Sequence, residues 1–278
     1  MRLRSLLFAP GDRPERFEKA LASGADAVIL DLEDSVAPLN KPKARESVHE
    51  FVLHHAGKTP LLIRINPLAS PEFEDDLAAL SGLHPFALML PKAEGAASVL
   101  KLAGSLASAI PILPIATETP SAIFEIGSYR DVSTSLCGLT WGAEDLPAAM
   151  GATTARRTDG RYTPPYELAR SLTLFGAHAA AVPAIDTVYP DFRDLNGLRA
   201  YVGRARRDGF SGMMAIHPSQ VEVINHAFTP DASEVAWAEK VAAAFAARPD
   251  AGVIQLDGRM LDLPHLKLAL RLLEISGR

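Results

Sequence analysis

The stretch Ala27-Val28-Ile29-Leu30, followed at once by Asp31-Leu32-Glu33-Asp34, decides the fold. Four apolar residues in a row are too few for a helix. Without polar alternation they read as a strand buried on both faces, the form taken by parallel sheets covered with helices. The pattern recurs on either side, at residues 5–9, 61–65, 87–90, 112–116, 136–141, 184–188 and 213–216. Between these runs the spacing is helical, as in Arg16-Phe17 with Lys19-Ala20-Leu21, and in Ser98, Val99, Leu102 and Leu106. Eight strand-then-helix units predict an α/β chain closed as a (β/α)8 TIM barrel. No Gly-x-Gly-x-x-Gly turn follows the first run, which argues against an open dinucleotide-binding sheet.

One interval, 141–183, is long for a single crossover. It holds a Gly/Arg/Thr-rich stretch, 151–165, and then an apolar helix around 168–181, which predicts an inserted loop over one rim. After the eighth unit, Thr229-Pro230-Asp231 marks a break. A helix over 233–247 with Ser233 as N-cap follows, then a turn segment 253–261 centred on Asp257-Gly258, then a last helix from Pro264. The expected division is a catalytic barrel, 1–229, and a C-terminal lid or oligomerisation arm, 230–278. Composition fits equally well a terminal helix packed on its own barrel.

With 278 residues the chain buries about 73% of its unfolded surface, enough for one large core. Hydrophobic residues at 48% and charged residues at 22% exclude disorder and fibrous repeats. A net charge of −5 argues against nucleic-acid and membrane partners, while leaving room for a local basic patch that holds a phosphate-bearing small molecule. The single cysteine, Cys137, lies in an apolar run and reads as a buried, inert thiol. From Met1 to Pro10 there are basic residues and a short apolar stretch. Gly11-Asp12-Arg13-Pro14 follows without a signal-peptide core of normal length, so a cytoplasmic chain is expected. The longest uncharged stretches, 102–117 and 171–185, fall short of the ~20 residues that span a bilayer.

Barrels concentrate chemistry where their strands end. Here the runs end on Gly11-Asp12-Arg13, Asp31-Leu32-Glu33-Asp34, Arg64 with Asn66, Lys92, Glu118, Glu144-Asp145, Tyr189 and His217. Glu118 and Asp145 follow consecutive strands. Two carboxylates without a nearby histidine or cysteine suit a hard cation, most simply Mg2+, with Mn2+ as the other ion such ligands take. Spacing alone equally allows either acid to sit at a helix N-terminus. Arg64, inside an apolar strand, requires a carboxylate or a bound anion. The acidic cluster would supply the carboxylate, with Asp31, Glu33 and Asp34 binding metal or orienting Arg64 and metal-bound waters, and Asp34 alternatively capping the next helix. Arg13, beside a proline at a first helical position, and Lys92 are candidates for a phosphate. His217 receives no role.

Together, Ser5-Leu6-Leu7-Phe8-Ala9-Pro10-Gly11-Asp12-Arg13-Pro14, Gly24 to Asp34, Ile63-Arg64-Ile65-Asn66, Leu90-Pro91-Lys92, Glu118-Thr119-Pro120 and Gly142-Ala143-Glu144-Asp145-Leu146 resemble the citrate lyase β-subunit-like branch of the HpcH/HpaI aldolase family. The resemblance continues through Ala184-Ile185-Asp186, Ala215-Ile216-His217-Pro218 and Asp257-Gly258-Arg259-Met260-Leu261-Asp262. It implies a Mg2+-dependent carbon–carbon lyase of the oxo-acid-lyase type. The substrate would be a 3-hydroxyacyl thioester, of citryl-, malyl- or citramalyl-CoA type, and the products an acetyl thioester and a 2-keto acid such as oxaloacetate. By that resemblance Glu118 and Asp145 hold the metal and Arg64 contacts substrate. Asp262 matches an acid that a C-terminal lid places over the site of a neighbouring subunit, which implies a homo-oligomer, a trimer or hexamer.

Such cleavage leaves a keto acid carbonyl on one side and a thioester enolate on the other, so the site must hold a carboxylate and stabilise negative charge. The N–H groups from Gly142 through Ala143 and Glu144 to Asp145 would receive a carboxylate oxygen, and Arg64 the enolate oxygen. Asp262, or a water held by the acidic cluster, would pass a proton to the acetyl carbon. The same parts also suit a malyl-CoA-type thioesterase and a class II aldolase acting on free pyruvate. The thioester carrier is CoA or the arm of an acyl carrier protein. A subunit that only binds these ligands is disfavoured by the presence of Arg64, Glu118, Asp145 and Asp262.

Overall fold

The computed structural model describes residues 2–55 and 57–277. Outside them lie Met1, where the N-terminal reading and the range 1–229 begin, Ala56, and Arg278, where the range 230–278 ends. Each of the eight apolar runs holds a strand: β1 Ser5–Pro10, β2 Ala27–Asp31, β3 Leu61–Arg64, β4 Ala87–Leu90, β5 Ile112–Pro114, β6 Leu139–Thr140, β7 Ala184–Asp186 and β8 Gly212–Ala215. They hydrogen-bond in the order β5-β4-β3-β2-β1-β8-β7-β6, all parallel. The two ends of this sheet meet through the bridges Ile112↔Leu136 and Ile115↔Thr140, with the Ala116 N–H donating to Thr140 at 2.9 Å and the Cys137 N–H to Ile112 at 3.0 Å. This is the expected TIM barrel. Its β5–β6 joint is sparse because only two residues of the run 136–141 form regular strand.

Alternation along the strands sends Leu6, Ala27, Ile29, Leu62, Ala87, Met89, Leu113, Ile115, Ile185 and Met214 into one buried cluster inside the barrel. Each fully buried Leu or Ile side chain stabilises the fold by about 1.5–3 kcal/mol, and these layers let the top of the barrel carry charge. The same parity governs that top. Asp31 lies two residues beyond Ile29 and Arg64 two beyond Leu62, and β2 and β3 pair Asp31 directly with Arg64.

The helix expected around 168–181 begins earlier, as Pro164–Ala179, because proline takes a first helical position where its missing N–H costs nothing. The insertion before it contains the short helix Asp145–Met150 and an antiparallel bridge between Arg156 and Tyr162.

The chain divides into two compact units, 1–225 and 226–278. The second has its own core of Val241, Phe245, Ile254, Leu261 and Ala269. Those residues come from the helix Ala232–Ala246, the antiparallel strands β9 Val253–Leu256 and β10 Arg259–Asp262, and the helix Leu263–Ser276. Asp231, not Ser233, caps its first helix. The Asp231 carboxylate accepts the N–H of both Ser233 and Glu234 at 2.8 Å, and the Glu234 side chain accepts the Asp231 N–H, which leaves Ser233 inside the first turn. The expected turn segment is a hairpin, with Asp257 at φ 50 and Gly258 at φ 76 giving the left-handed pair that a tight two-residue turn requires. Among the described residues no helix is long and apolar enough to cross a membrane.

Candidate active site at the carboxyl ends of the strands

A cavity of about 560 Å³ opens where the strands end, lined among others by Phe8, Asp31, Arg64, Glu118, Gly142 and Asp145. On the β2–β3 side, Arg64 Nε and Nη2 donate to the two oxygens of Asp31, each at 2.6 Å, and the guanidinium lies 4.8 Å from the Phe8 ring centre. Arg64 Nη1 stands 3.0 Å from Glu33 Oε2, an ion pair without hydrogen-bond alignment, so that oxygen is buried with no hydrogen bond among the described residues. Burial opposes the charge on Asp31, but Arg64 and the Ser35 and Glu33 N–H groups hold its carboxyl below the ordinary value. Burial likewise opposes the Arg64 cation, and Asp31 outweighs it, raising the pKa further. At Glu33 burial wins and pushes the carboxyl up against Arg64 and Lys92.

The backbone below is clamped by Lys41, at the start of the helix Lys41–His54. Its ammonium donates to the carbonyls of Leu32 at 2.8 Å and Glu33 at 2.9 Å and to Asn66 Oδ1 at 2.7 Å. Segments that follow two different strands are thereby tied to one buried cation.

On the β4–β6 side, Lys92 adopts φ 51, and its N–H donates to Glu118 Oε2 at 2.6 Å. Left-handed backbone at a residue other than glycine costs on the order of 1 kcal/mol, and here it aims an amide at a carboxylate. The Lys92 ammonium reaches Glu33 Oε1 at 2.9 Å and Asp145 Oδ1 at 3.3 Å. Burial opposes that cation, but Glu33 and the neighbouring acids outweigh it and raise its pKa. Glu118 is only 4% exposed, and burial pushes its carboxyl up to about 8; the Lys92 N–H opposes the shift, while the charges of Asp145 and Glu33 add to it. A Cβ on Gly142 would stand 2.5 Å from Glu118 Cγ and 2.8 Å from Oε1, so glycine is what lets the ends of β5 and β6 approach.

The structure brings Arg64, Glu118, Asp145, Gly142, Ala143, Glu144, Asp31 and Asp34 to one cavity wall, with Glu33 bridging Arg64 and Lys92 behind it. Glu118 is not a helix cap, since Thr119 caps the helix Pro120–Glu125 by accepting the Ala122 N–H. Asp34 caps nothing either; the following helix begins at Lys41 without a side-chain cap, and Asp34 is exposed to the cavity. The Gly142 N–H is donated to Thr117 Oγ1 at 3.2 Å, which narrows the expected carboxylate-receiving amides to Ala143, Glu144 and Asp145.

The two phosphate candidates have different surroundings. The Lys92 ammonium is engaged among carboxylates inside the site. Arg13 is exposed and off the cavity wall, because the short helical turn Pro14–Arg16 rotates the chain and turns Arg16 and Lys19 to the cavity instead. His217 stacks on Phe192 with ring centres 4.8 Å apart and hydrogen-bonds Ser219. Burial pushes the Cys137 thiol up to about 12, consistent with an inert side chain. Asp262, in the second unit, caps the helix Leu263–Ser276 and pairs with the His265 ring, which holds its carboxyl low.

Among the described residues no group of three or more His, Cys, Asp or Glu side chains is arranged to hold a metal. The protein offers two carboxylates, the donor set of an ion that keeps waters or substrate in its remaining positions, as Mg2+ does. Glu118 is a buried carboxyl short of compensating positive charge, and the bare glycine opposite leaves space beside it. The residues present therefore fit a hard divalent cation.

The family model for HpcH/HpaI aldolase/citrate lyase matches residues 4–218. The chain belongs to this family. Similar proteins include a citrate lyase subunit beta-like protein of Mycobacterium tuberculosis (strain ATCC 25618 / H37Rv), 39% identical over 271 residues and covering 98% of this chain and 94% of that one. The mitochondrial citramalyl-CoA lyase of Rattus norvegicus is 31% identical over 299 residues, with 98% of this chain and 86% of that protein covered. The crystal structure of protein CitE from Mycobacterium tuberculosis in complex with magnesium, acetoacetate and coenzyme A superposes with a TM-score of 0.84 at 37% identity, covering 99% of this chain and 98% of that one. In this member of the HpcH/HpaI family, every strand-end residue from Asp31 to Asp145 named above lies within the matched region.

Proposed function

We propose that this chain is a Mg2+-dependent carbon–carbon lyase, with Mn2+ as an alternative ion. It cleaves a 3-hydroxyacyl-CoA thioester of citryl-, malyl- or citramalyl-CoA type into an acetyl thioester and a 2-keto acid. The observation that carries the reading is Glu118, a buried carboxyl raised to about 8, set against Gly142 on the same cavity wall as Asp145 and Arg64. The similar CitE holds magnesium, acetoacetate and coenzyme A, the kinds of group this cavity would take.

Glu118 and Asp145 would hold the divalent ion, which when bound supplies Lewis-acid charge to the keto acid oxygens. Arg64 spends Nε and Nη2 on Asp31 and sets Nη1 3.0 Å from Glu33, and its remaining N–H groups would meet the oxygen that gains charge as the carbon–carbon bond breaks. Asp31, by gripping the guanidinium with both oxygens, fixes its plane before substrate arrives, so no reorganisation is needed during the reaction. The amides of Ala143 to Asp145 take a carboxylate oxygen of the keto acid. Arg16 and Lys19, on the outer wall, face the phosphates of the CoA arm. Asp262 of a neighbouring subunit, or a water held by the acidic cluster, returns the proton to the acetyl carbon. That role implies a homo-oligomer, trimeric or hexameric, and the reading includes a cytoplasmic location.

The test is incubation of the protein and Mg2+ with citryl-, malyl- and citramalyl-CoA, followed by identification of the products. Equimolar acetyl-CoA and keto acid are expected. Free CoA without keto acid would assign a thioesterase instead, and rapid pyruvate-dependent turnover indifferent to CoA would assign an aldolase.

A further inference from the structure

Beside the site lies a buried charge network that, among the described residues, shares no hydrogen bond or ion pair with the two acids. Asp186, at the end of β7, is fully buried and accepts hydrogen bonds from Trp141 Nε1 at 2.6 Å, Arg170 Nη2 at 2.8 Å and Nε at 3.0 Å, the Thr187 N–H at 2.9 Å and the Tyr201 hydroxyl at 3.2 Å. Arg170 also donates to Asp208 at 2.6 Å. A buried ion pair is weak evidence for stability, since well-packed apolar residues serve as well or better; fully satisfied, however, it locks the groups it touches into one arrangement. The group locked here is the indole of Trp141, which also meets the Tyr162 ring edge-on with centres 5.1 Å apart.

Trp141 is the last anchored residue before Gly142. The regular part of β6 ends at Thr140, Gly142 has no side chain to seat, and Asp145 is ion-paired with Lys92, a residue of another strand end. Gly142 is held to Thr117 through its N–H and its carbonyl, each at 3.2 Å, and the position of the 142–145 segment over Glu118 comes from that link together with the anchored residue that precedes it. We infer that Asp186, through its hydrogen bond from the Trp141 indole, is a positioning residue that sets Asp145 against Glu118. This rests on the reading of Glu118 and Asp145 as the ion-holding pair. Asp186 itself touches neither acid; it acts by fixing where β6 ends.

Trp141→Phe tests the inference, because it removes the indole N–H and keeps an aromatic ring against Tyr162. Binding of Mn2+ alone to the full chain is followed by the resonance of the free ion, beside the melting midpoint. Asp26→Asn is the control: it breaks an ion pair with Arg4 at the opposite end of the strands, where Arg4 Nη2 donates at 2.7 Å. Trp141→Phe is expected to weaken Mn2+ binding about 10-fold or more, the scale on which outer-shell partners act. Asp26→Asn should lose melting temperature and keep wild-type affinity. Tyr201→Phe, which removes one of the five hydrogen bonds to Asp186, is expected to weaken binding in the same direction by roughly 2- to 3-fold. It decides the matter should Trp141→Phe not fold. Wild-type Mn2+ affinity in the folded variants, or an equal loss in Asp26→Asn, overturns the inference. A wild-type protein that binds no Mn2+ overturns the ion-holding reading itself, so the two failures are distinct.

Discussion

The two halves of the rim solve opposite electrostatic problems. On the β2–β3 half the central charge is matched: Asp31 receives Arg64 through both oxygens, and Lys41 collects two carbonyls and an amide oxygen from the loops around them. On the β5–β6 half, Glu118 is buried with a single backbone N–H and the edge of Lys92's influence, and its carboxyl is driven up to about 8. The first half is finished without a ligand and serves to hold a guanidinium still. The second is left short of positive charge, and that shortage is what a cation would relieve.

Four experiments set the halves against each other. Removing one charge from the deficient half should do most: Glu118→Gln or Asp145→Asn is expected to lower divalent-ion-dependent kcat/KM by at least ~1000-fold, about 4 kcal/mol of barrier, with metal titration showing lost affinity. Next comes Arg64→Lys, which keeps the charge but gives up the two-point grip on Asp31; a fall of roughly 100-fold, mostly in kcat, is expected. A near-normal kcat would mean that Arg64 serves Asp31 alone. Lys41→Met strips one ammonium from three acceptors on the finished half, and should cost on the order of 2–3 kcal/mol in denaturant unfolding and about 10-fold in activity.

The smallest effect is one of stability, and its sign is opposite. The native Glu118 carboxyl, at about 8, lies above its ordinary value of 4.5, so its contribution is present at low pH and is lost as pH rises through about 8. Glu118→Gln escapes that loss. Without divalent ion the variant should melt a few degrees higher than wild type, with the gap opening between about pH 5 and about pH 8. Equal melting curves at alkaline pH would show that the protein neutralises Glu118 by itself.

Much of the fold was legible because each strand is covered on both faces and so appears as an unbroken apolar run. The charged top layer was legible by parity, since Asp31 and Arg64 each continue the inward column of their strand. What escaped reading depends on geometry with no local mark. No glycine announces the left-handed turn at Lys92, and nothing near Lys41 shows that it reaches back to Leu32 and Glu33. Trp141 and Asp186 stand 45 positions apart, and neither residue alone suggests the other. Nor does the sequence mark which basic side chains meet the cavity: one short helical turn of three residues, Pro14–Arg16, leaves Arg13 off its wall and Arg16 and Lys19 on it.

The sparse joint between β5 and β6 has a mechanical side. Glu118 lies just past one lip of that joint and Asp145 just past the other, so an ion held by both acts as a rivet across the least-laced edge of the wheel. With such an ion in place, gripping a keto acid and keeping the ring shut would become one act, and mechanical or thermal parting of the ring at that edge would have to release the ion first.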